Sequence, residues 1–417
     1  MNDAFFFIPD SITNEKHPKG SAPTIVDDLC ELMSDAKEIW ISMFLFNLPF
    51  FQKRLEDLVE SNQAIVKIYT IPLEGYDRKI IKVPFKKDGR RQVKTTSKHE
   101  YAQIVHNKVR AHEHMDLYYF YHANLWNSQN TSRGKISYSL HNKSILFKRT
   151  DDSYMCISTS TNLALGDPLH SENMYVTSND ETVRVFREYF SQLETNSVTA
   201  EEYDDQSLHN DFKIIDECEV IHVSNETNCL FTAPFLKYQQ DNQDPIGSNN
   251  FVYQKIQAKL ESAQNRILVC TQHFNDFNPY DNRHEGLGEV ILRMATNNSS
   301  LTVEILKQTL AEHQKQGPRA KQFEIRCKSI PNVNLKYWHP VIHDKFIIVD
   351  NEVIIFTANI TPTQFAWSER HAMIVEETTH RNNFSDINSF HFCEDQNVLS
   401  KYEEHFNQLS SRSNRIT

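Results

Sequence analysis

Apolar runs and helical patterns alternate along this chain in two rounds that follow the same order. Each round opens on a short apolar segment, residues 5–9 in the first and 230–234 in the second. A helical pattern follows, and then a strand-like run at residues 39–44 and 267–270. Strands that alternate with helices predict an α/β sheet covered on both faces. The sequence therefore predicts two similar α/β units.

The boundaries of the two units follow from composition. An acidic and polar stretch lies near the middle of the chain, which predicts units at 1–197 and 218–417 joined by a linker at 198–217. Each unit has a normal domain length with room for a core. Residues 78–140 lack clear periodicity and are predicted to be a basic insertion in the first unit.

Two polar motifs stand beside the strongest strand patterns. Each contains a histidine and a lysine two residues apart, an apolar strand, a Ser/Thr-x-Asn triplet and a glutamate ten residues past the asparagine. Period-two alternation puts each histidine and lysine on one face of a strand. The residues are His141, Lys143, Ser160, Asn162 and Glu172 in the first motif, and His343, Lys345, Thr357, Asn359 and Glu369 in the second.

The His-x-Lys triplet alone carries little information. It occurs five times, at His17, His106, His141, His313 and His343. His17, His106 and His313 lack the following strand and are predicted to be solvated surface residues. The two remaining histidines are distinguished by the whole repeated arrangement.

The residues of the two motifs suit phosphodiester chemistry. Lys143 and Lys345 can neutralise phosphate oxygens, and Asn162 and Asn359 can donate hydrogen bonds to them. One histidine can attack phosphorus while the other serves as general acid and then activates water. A carboxylate that accepts the Nδ1 proton fixes the tautomer, a role predicted for Glu172 and Glu369, with Ser160 and Thr357 as further polar partners. No metal or other cofactor is required.

These motifs resemble those of the phospholipase D superfamily, His-x-Lys-x4-Asp followed by Gly/Ser-x-Asn. The second motif matches at His343, Lys345 and Asp350, whereas Lys148 stands at the aspartate position of the first. The first motif, without this aspartate, is similar to the motifs of tyrosyl-DNA phosphodiesterases and some nucleases. The resemblance implies two α/β/α sandwich domains related by pseudo-twofold symmetry, with the site at their interface. It also implies that His141 is the nucleophile and His343 the general acid and base.

Charge distribution favours a nucleic-acid substrate. The net charge is −11, but residues 78–98 include nine basic residues and one acidic residue. Arg90, Arg91 and Lys94 lie in this stretch and are predicted to bind substrate, although a solvated β-hairpin explains the stretch equally well. The predicted function is a metal-independent nuclease acting on DNA or RNA. A phospholipase D acting on lipids and a degenerate nucleic-acid-binding subunit remain alternatives.

The remaining expectations concern the setting of the protein. No apolar run approaches the length of a membrane span, and the seven scattered cysteines favour a reducing cytoplasm. We therefore expect a cytoplasmic protein that has no membrane contact. A helicase or ATPase partner and a homodimer are both left open by the sequence.

Overall fold

The structure is a computed structural model, and it describes most of the chain. The described residues are 1–8, 25–87, 90–120, 140–164, 170–205, 218–274, 285–308, 318–338, 342–361, 371–375, 378–382 and 386–415.

The described residues up to 205 contain ten strands and five helices. The strands are β1 (Asn2–Phe7), β2 (Ala36–Met43), β3 (Ile65–Thr70), β4 (Ile80–Lys87), β5 (Arg90–Ser97), β6 (Met115–Tyr119), β7 (Lys143–Arg149), β8 (Tyr154–Thr159), β9 (Glu172–Thr177) and β10 (Val198–Thr199). The helices are α1 (Ile25–Leu32), α2 (Pro49–Asn62), α3 (Lys98–Arg110), α4 (Asp180–Thr195) and α5 (Ala200–Asp205), with a 3-10 turn at Leu73–Gly75.

Residues from 218 onwards contain thirteen strands and four helices among those described. The strands are β11 (Glu219–Val223), β12 (Cys229–Thr232), β13 (Leu236–Gln240), β14 (Ile246–Gly247), β15 (Arg266–Thr271), β16 (Thr302–Gln308), β17 (Val333–Trp338), β18 (Lys345–Val349), β19 (Glu352–Phe356), β20 (His371–Val375), β21 (Thr378–Asn382), β22 (Asn388–Cys393) and β23 (Asn414–Arg415). The helices are α6 (Ser248–Glu261), α7 (Leu287–Asn297), α8 (Pro318–Ser329) and α9 (Gln396–Ser411).

Two eight-stranded sheets with the same topology form the centre of the molecule. The strand orders are β1-β9-β8-β7-β2-β3-β6-β10 and β12-β22-β19-β18-β15-β16-β17-β23. Pairs β2·β3, β3·β6, β15·β16 and β16·β17 are parallel, and the other neighbours in the two sheets are antiparallel. The predicted α/β fold with two similar units is therefore confirmed.

Four strands of the two sheets have no solvated face. All residues of β9, β18, β19 and β22 are buried. Continuous β-branched and aromatic runs suit a strand that has no solvated face. The two closing helices begin at matching polar caps, since Asn179 and Asp395 accept hydrogen bonds from the first-turn amides of α4 and α9.

The two halves share one packed interface. The ring of Tyr189 on α4 stacks on Phe231 of β12, with centroids 3.9 Å apart. On the other side, Phe6 of β1 packs edge-on against Tyr402 of α9 at 4.8 Å. Such aromatic pairs each contribute about 0.5–1.5 kcal/mol beyond the burial of their area. Packed aromatic side chains therefore stabilise the interface between the halves, as they do in a domain core.

Two boundary predictions are wrong. Residues 198–205, predicted as linker, form β10 and α5, and Val198 pairs with Tyr119 of the first sheet. The predicted insertion at 78–140 contains α3 and β6, which belong to the core because Val105 and Val109 of α3 and Leu117 of β6 are buried. Among the described residues of that stretch, the hairpin β4–β5 alone forms a separate sheet.

The surface prediction for His106 is also wrong. Its side chain is buried on α3, with Nδ1 2.9 Å from the Tyr119 hydroxyl and Nε2 3.0 Å from the Phe46 carbonyl oxygen. Hydrogen bonds at both ring nitrogens allow a histidine to be buried. His17 and His313 lie outside the described residues.

Among the described residues, no helix has both the length and the apolar character that a bilayer span needs.

Candidate active site

The two His-x-Lys motifs meet where the sheets face each other. His141 and His343 each lie two residues before the start of a central strand, β7 or β18. Isolated bridges join Leu140 to Ile387 and Ser171 to Ile342, so the segment before each histidine pairs with the other half. Each histidine therefore projects into a site that both halves build.

The lysines form the floor of this site. Lys143 and Lys345 are fully buried, and the ammonium group of each donates to the backbone carbonyl of its own histidine, at 2.8 and 2.7 Å. The Lys143 Nζ also lies 3.5 Å from both ring nitrogens of His141. Buried ammonium groups interact with a bound anion far more strongly than solvated ones do.

Each histidine is oriented by an acceptor from the opposite half. The Nδ1 of His343 lies 2.9 and 3.0 Å from the two carboxylate oxygens of Glu172. The Nδ1 of His141 lies 3.0 Å from the Oδ1 of Asn388. An acceptor at Nδ1 selects the tautomer with the proton on that atom and leaves the Nε2 lone pair available for reaction.

The hydroxyl groups of the Ser/Thr-x-Asn triplets support these acceptors. Ser160 donates to Glu172, and Thr357 Oγ1 donates to the Oδ1 of Asn388 at 3.2 Å. The asparagines of the triplets, Asn162 and Asn359, are 5% and 8% exposed, as little as the histidines themselves. Seven of the predicted residues thus lie in or directly behind one site, namely His141, Lys143, Ser160, Glu172, His343, Lys345 and Thr357.

Burial and nearby cations disfavour the protonated form of both histidines in the free site. Burial lowers the pKa of His141 well below its ordinary value, and the Lys143 and Lys345 ammonium groups lower it further. Burial followed by Lys345 lowers the pKa of His343 in the same direction, and His170 adds to this effect. A neutral imidazole is the form that can attack phosphorus.

The structure describes an orienting residue for His141 that the sequence analysis did not name. Glu369 lies outside the described residues, and the described acceptor for His141 is Asn388. Asn388 and Glu172 each begin the strand that precedes the closing helix. Each also lies seven residues before a helix cap, Asp395 (395 − 388) and Asn179 (179 − 172). That matching spacing was the signal in the sequence that could have identified Asn388.

The aspartate of the second motif lies away from the chemistry. Asp350 follows β18 at the end opposite Lys345, with a positive φ of 48°, and accepts hydrogen bonds from the backbone amides of Gln264, Asn265 and Arg266. In the first half, Lys148 lies near the end of β7 and forms an ion pair with Asp152 of the following turn at 2.9 Å. In both halves the position after the strand lysine that holds Asp350 or Lys148 therefore lies toward the end of the strand farther from the histidine.

The predicted substrate-binding residues lie on the hairpin. Arg90, Arg91 and Lys94 belong to β5, and the exposed Lys94 places its Nζ 5.4 Å from the ring centroid of Tyr101. The hairpin follows β3, which ends beside the Met43–Lys143 pair at the active-site edge of the first sheet. Among the described contacts, none joins these three residues to the histidines.

Two residues near the histidines were not predicted. The Phe44 ring lies 5.1 Å from the ring of His141 and 5.6 Å from the Lys143 Nζ. The His170 ring lies 5.6 Å from that of His343, and its Nδ1 lies 4.0 Å from a Glu172 oxygen. His170, Glu172 and His343 form the one group among the described residues whose ligand atoms are close enough to hold a metal ion.

The fold was compared with protein families, curated sequences and solved structures. No protein-family model and no curated protein sequence matches the chain. Solved structures of phospholipase D superfamily members do match, so the chain has the phospholipase D fold that its motifs predicted.

Three of these structures illustrate the match. Phosphatidylserine synthase from Haemophilus influenzae Rd KW20 is 14% identical with a TM-score of 0.53, over 93% of this chain and 84% of that one. A mutant of yeast tyrosyl-DNA phosphodiesterase is 10% identical with a TM-score of 0.51, over 95% and 91%. Polyphosphate kinase from Porphyromonas gingivalis is 10% identical with a TM-score of 0.51, over 98% of this chain. The chain spans half the length of that kinase. At these identities the likeness establishes the fold.

Proposed function

We propose that this chain is a metal-independent phosphodiesterase that hydrolyses nucleic-acid phosphodiester bonds through a phosphohistidine intermediate. One observation carries the proposal: His141 and His343 are each oriented at Nδ1 by the opposite half, beside two fully buried lysines. This arrangement leaves two reactive nitrogens and two cations around one small space. The fold alone would not require any of these contacts.

The first chemical step is attack by His141. Its Nε2 lone pair forms a bond to phosphorus while the bond from phosphorus to the leaving oxygen breaks. Lys143 and Lys345 neutralise the non-bridging oxygens, and the leaving oxygen takes a proton from the Nε2 of His343. The bound anionic phosphate raises the pKa of His343 toward the protonated form, which this step requires.

The second step releases the product. The neutral His343 accepts a proton from water, and the water oxygen attacks phosphorus as the bond to His141 breaks. His343 is again protonated, His141 is again neutral, and the second product leaves as a phosphate monoester. No metal takes part in either step.

The roles of the two histidines follow from their orienting groups. A carboxylate stabilises an imidazolium ion, whereas an amide oxygen only fixes the tautomer. Glu172 contacts His343 and Asn388 contacts His141, so His343 is the better proton carrier. His141 is accordingly the nucleophile and His343 the general acid and base.

The hairpin and one neighbour support a nucleic-acid substrate. The basic β4–β5 hairpin follows β3 at the active-site edge, where cationic side chains can contact neighbouring phosphates. A similar structure is that of tyrosyl-DNA phosphodiesterase, by its name an enzyme that acts on DNA. A lipid is the competing substrate class because Ile80 and Val93 on the same hairpin are 71% and 61% exposed.

A direct assay separates these substrates. The purified protein in EDTA is incubated with single-stranded DNA, duplex DNA, RNA and phosphatidylcholine vesicles. We expect cleavage of a nucleic acid in EDTA and its loss in His141→Ala and His343→Ala, with His222→Ala, which alters an exposed histidine, as the control. Hydrolysis of phosphatidylcholine alone would overturn the nucleic-acid assignment, and activity only with added metal would overturn the mechanism.

A further inference from the structure

A cluster of three metal-binding side chains lies beside the general acid. His170, Glu172 and His343 each offer one ligand atom, and these atoms lie within 4.8 Å of one another. The first two come from one half and the third from the other. Glu172 is fully buried, His343 is nearly so, and the His170 side chain is 27% exposed. The group is therefore open toward solvent on the His170 side.

We propose that this cluster is an inhibitory site for a divalent transition metal of the Zn²⁺ type, a proposal that rests on the function proposed above. Two imidazole nitrogens and one carboxylate oxygen form a ligand set that Zn²⁺ commonly takes, with a further position left for water. Mg²⁺ and Ca²⁺ prefer oxygen ligands and do not fit this set.

The metal would inhibit by changing the tautomer of His343. In the active site described above, Nδ1 carries the proton and faces Glu172 at 2.9 Å. A metal bound at Nδ1 takes the lone pair of that atom, and the single proton of the neutral ring moves to Nε2. His343 in this form cannot accept a proton from water. Glu172 is at the same time drawn from the histidine to the metal.

The neighbouring lysines limit how tightly the metal binds. The Lys345 ammonium group donates to the backbone carbonyl of His343 at 2.7 Å, and its positive charge repels a divalent cation bound nearby. We therefore expect the metal to bind reversibly and to compete with turnover, so that chelation preserves or raises activity.

His170 allows the site to be tested apart from catalysis. It lies outside the two-histidine reaction, with its ring 5.6 Å from His343. The full-length protein is stripped with EDTA and titrated with Co²⁺ by visible absorption and with Zn²⁺ and Mg²⁺ by calorimetry. His170→Gln is compared with His222→Gln, which alters an exposed histidine of the second half.

The expected results are specific to the cluster. One Co²⁺ and one Zn²⁺ bind per chain, Mg²⁺ does not, and Zn²⁺ inhibits hydrolysis of bis(p-nitrophenyl) phosphate. His170→Gln lowers the Zn²⁺ affinity by about tenfold or more, and His222→Gln leaves it unchanged.

Three outcomes would overturn the proposal. They are absence of calorimetric binding, equal binding by His170→Gln, and activation by Zn²⁺. Calorimetry needs no turnover, so loss of the proposed phosphodiesterase activity would leave the metal test intact.

Discussion

The contact between Glu172 and His343 gives the sharpest prediction about mechanism. The substitution Glu172→Gln keeps the size of this buried side chain and an oxygen that can accept the Nδ1 proton. It removes one negative charge next to a histidine that must become an imidazolium. Ser160, which donates to Glu172 in the wild type, can accept from the new amide because its hydroxyl can reverse direction. The substitution therefore removes the charge, and the amide nitrogen takes the place of one of the two oxygens that lie about 3 Å from Nδ1.

The magnitude follows from the contact distance. The Nδ1 lies 2.9 Å from the carboxylate, so the two charge centres are about 4 Å apart. At an effective dielectric constant of about 20, their attraction is about 4 kcal/mol. The glutamine dipole retains part of this, so we expect the transition state to lose about 2–3 kcal/mol. That corresponds to a fall in kcat of about 30- to 150-fold.

The assay is steady-state cleavage of an oligonucleotide in EDTA. Glu352→Gln is the matched control, because Glu352 is also a buried carboxylate but forms an ion pair with Lys259 away from the histidines. We expect the control to leave kcat unchanged. A fall of less than about threefold in Glu172→Gln, with the fold intact by circular dichroism, would refute the role given to the charge.

Three further predictions address the turn aspartate, the hairpin and a buried histidine. Asp350→Asn should lower the free energy of unfolding by about 1–3 kcal/mol, because the Asp350 carboxylate accepts hydrogen bonds from three backbone amides away from the site. Urea unfolding measures this loss, and kcat should be unchanged. A catalytic defect at full stability would contradict this. Neutralising Arg90, Arg91 and Lys94 together should weaken nucleic-acid binding and reduce the slope of log K against log salt by up to about 0.9 per lost phosphate contact. An unchanged slope would remove that role. Burial lowers the pKa of His391 to about 3, below the unfolded value of about 6.5, so the unfolded state binds more protons and stability falls as pH falls below 6.5. Between pH 6.5 and 4.5 this loss is about 2–3 kcal/mol and should shrink in His391→Gln, measured by urea unfolding at both pH values.

The two sheets and the two strand lysines could be predicted from the sequence because both depend on local patterns. A buried strand directly follows each His-x-Lys, and its apolar run is visible within a few residues of Lys143 or Lys345. Repetition of the same order in both halves then excluded a chance match. The sequence analysis did not predict the third parallel strand of each half, β6 or β17. Each of these strands follows a polar segment and an amphipathic helix, and its own apolar run is short.

The partners of the histidines could not be read from local pattern. Glu172 and His343 are 171 residues apart and His141 and Asn388 are 247 apart, so each contact depends on how the halves dock. A spacing of ten residues after the asparagine pointed to Glu369, but the strand that matches Glu172 begins at Asn388. His106 was misassigned because its buried partners, including Tyr119, become its neighbours only when α3 packs on the sheet.

The central claim is that His141 forms a covalent bond to phosphorus while His343 moves the proton. It is tested most directly by trapping the intermediate in His343→Asn with bis(p-nitrophenyl) phosphate in EDTA. The p-nitrophenolate leaving group needs no proton, so the first step proceeds, and the second stalls because water is not deprotonated. We predict a burst of about one p-nitrophenolate per chain and a phosphoryl adduct on the peptide that contains His141, found by mass spectrometry after alkaline quenching. Absence of the burst and of the adduct, or an adduct on a residue other than His141, would contradict the account.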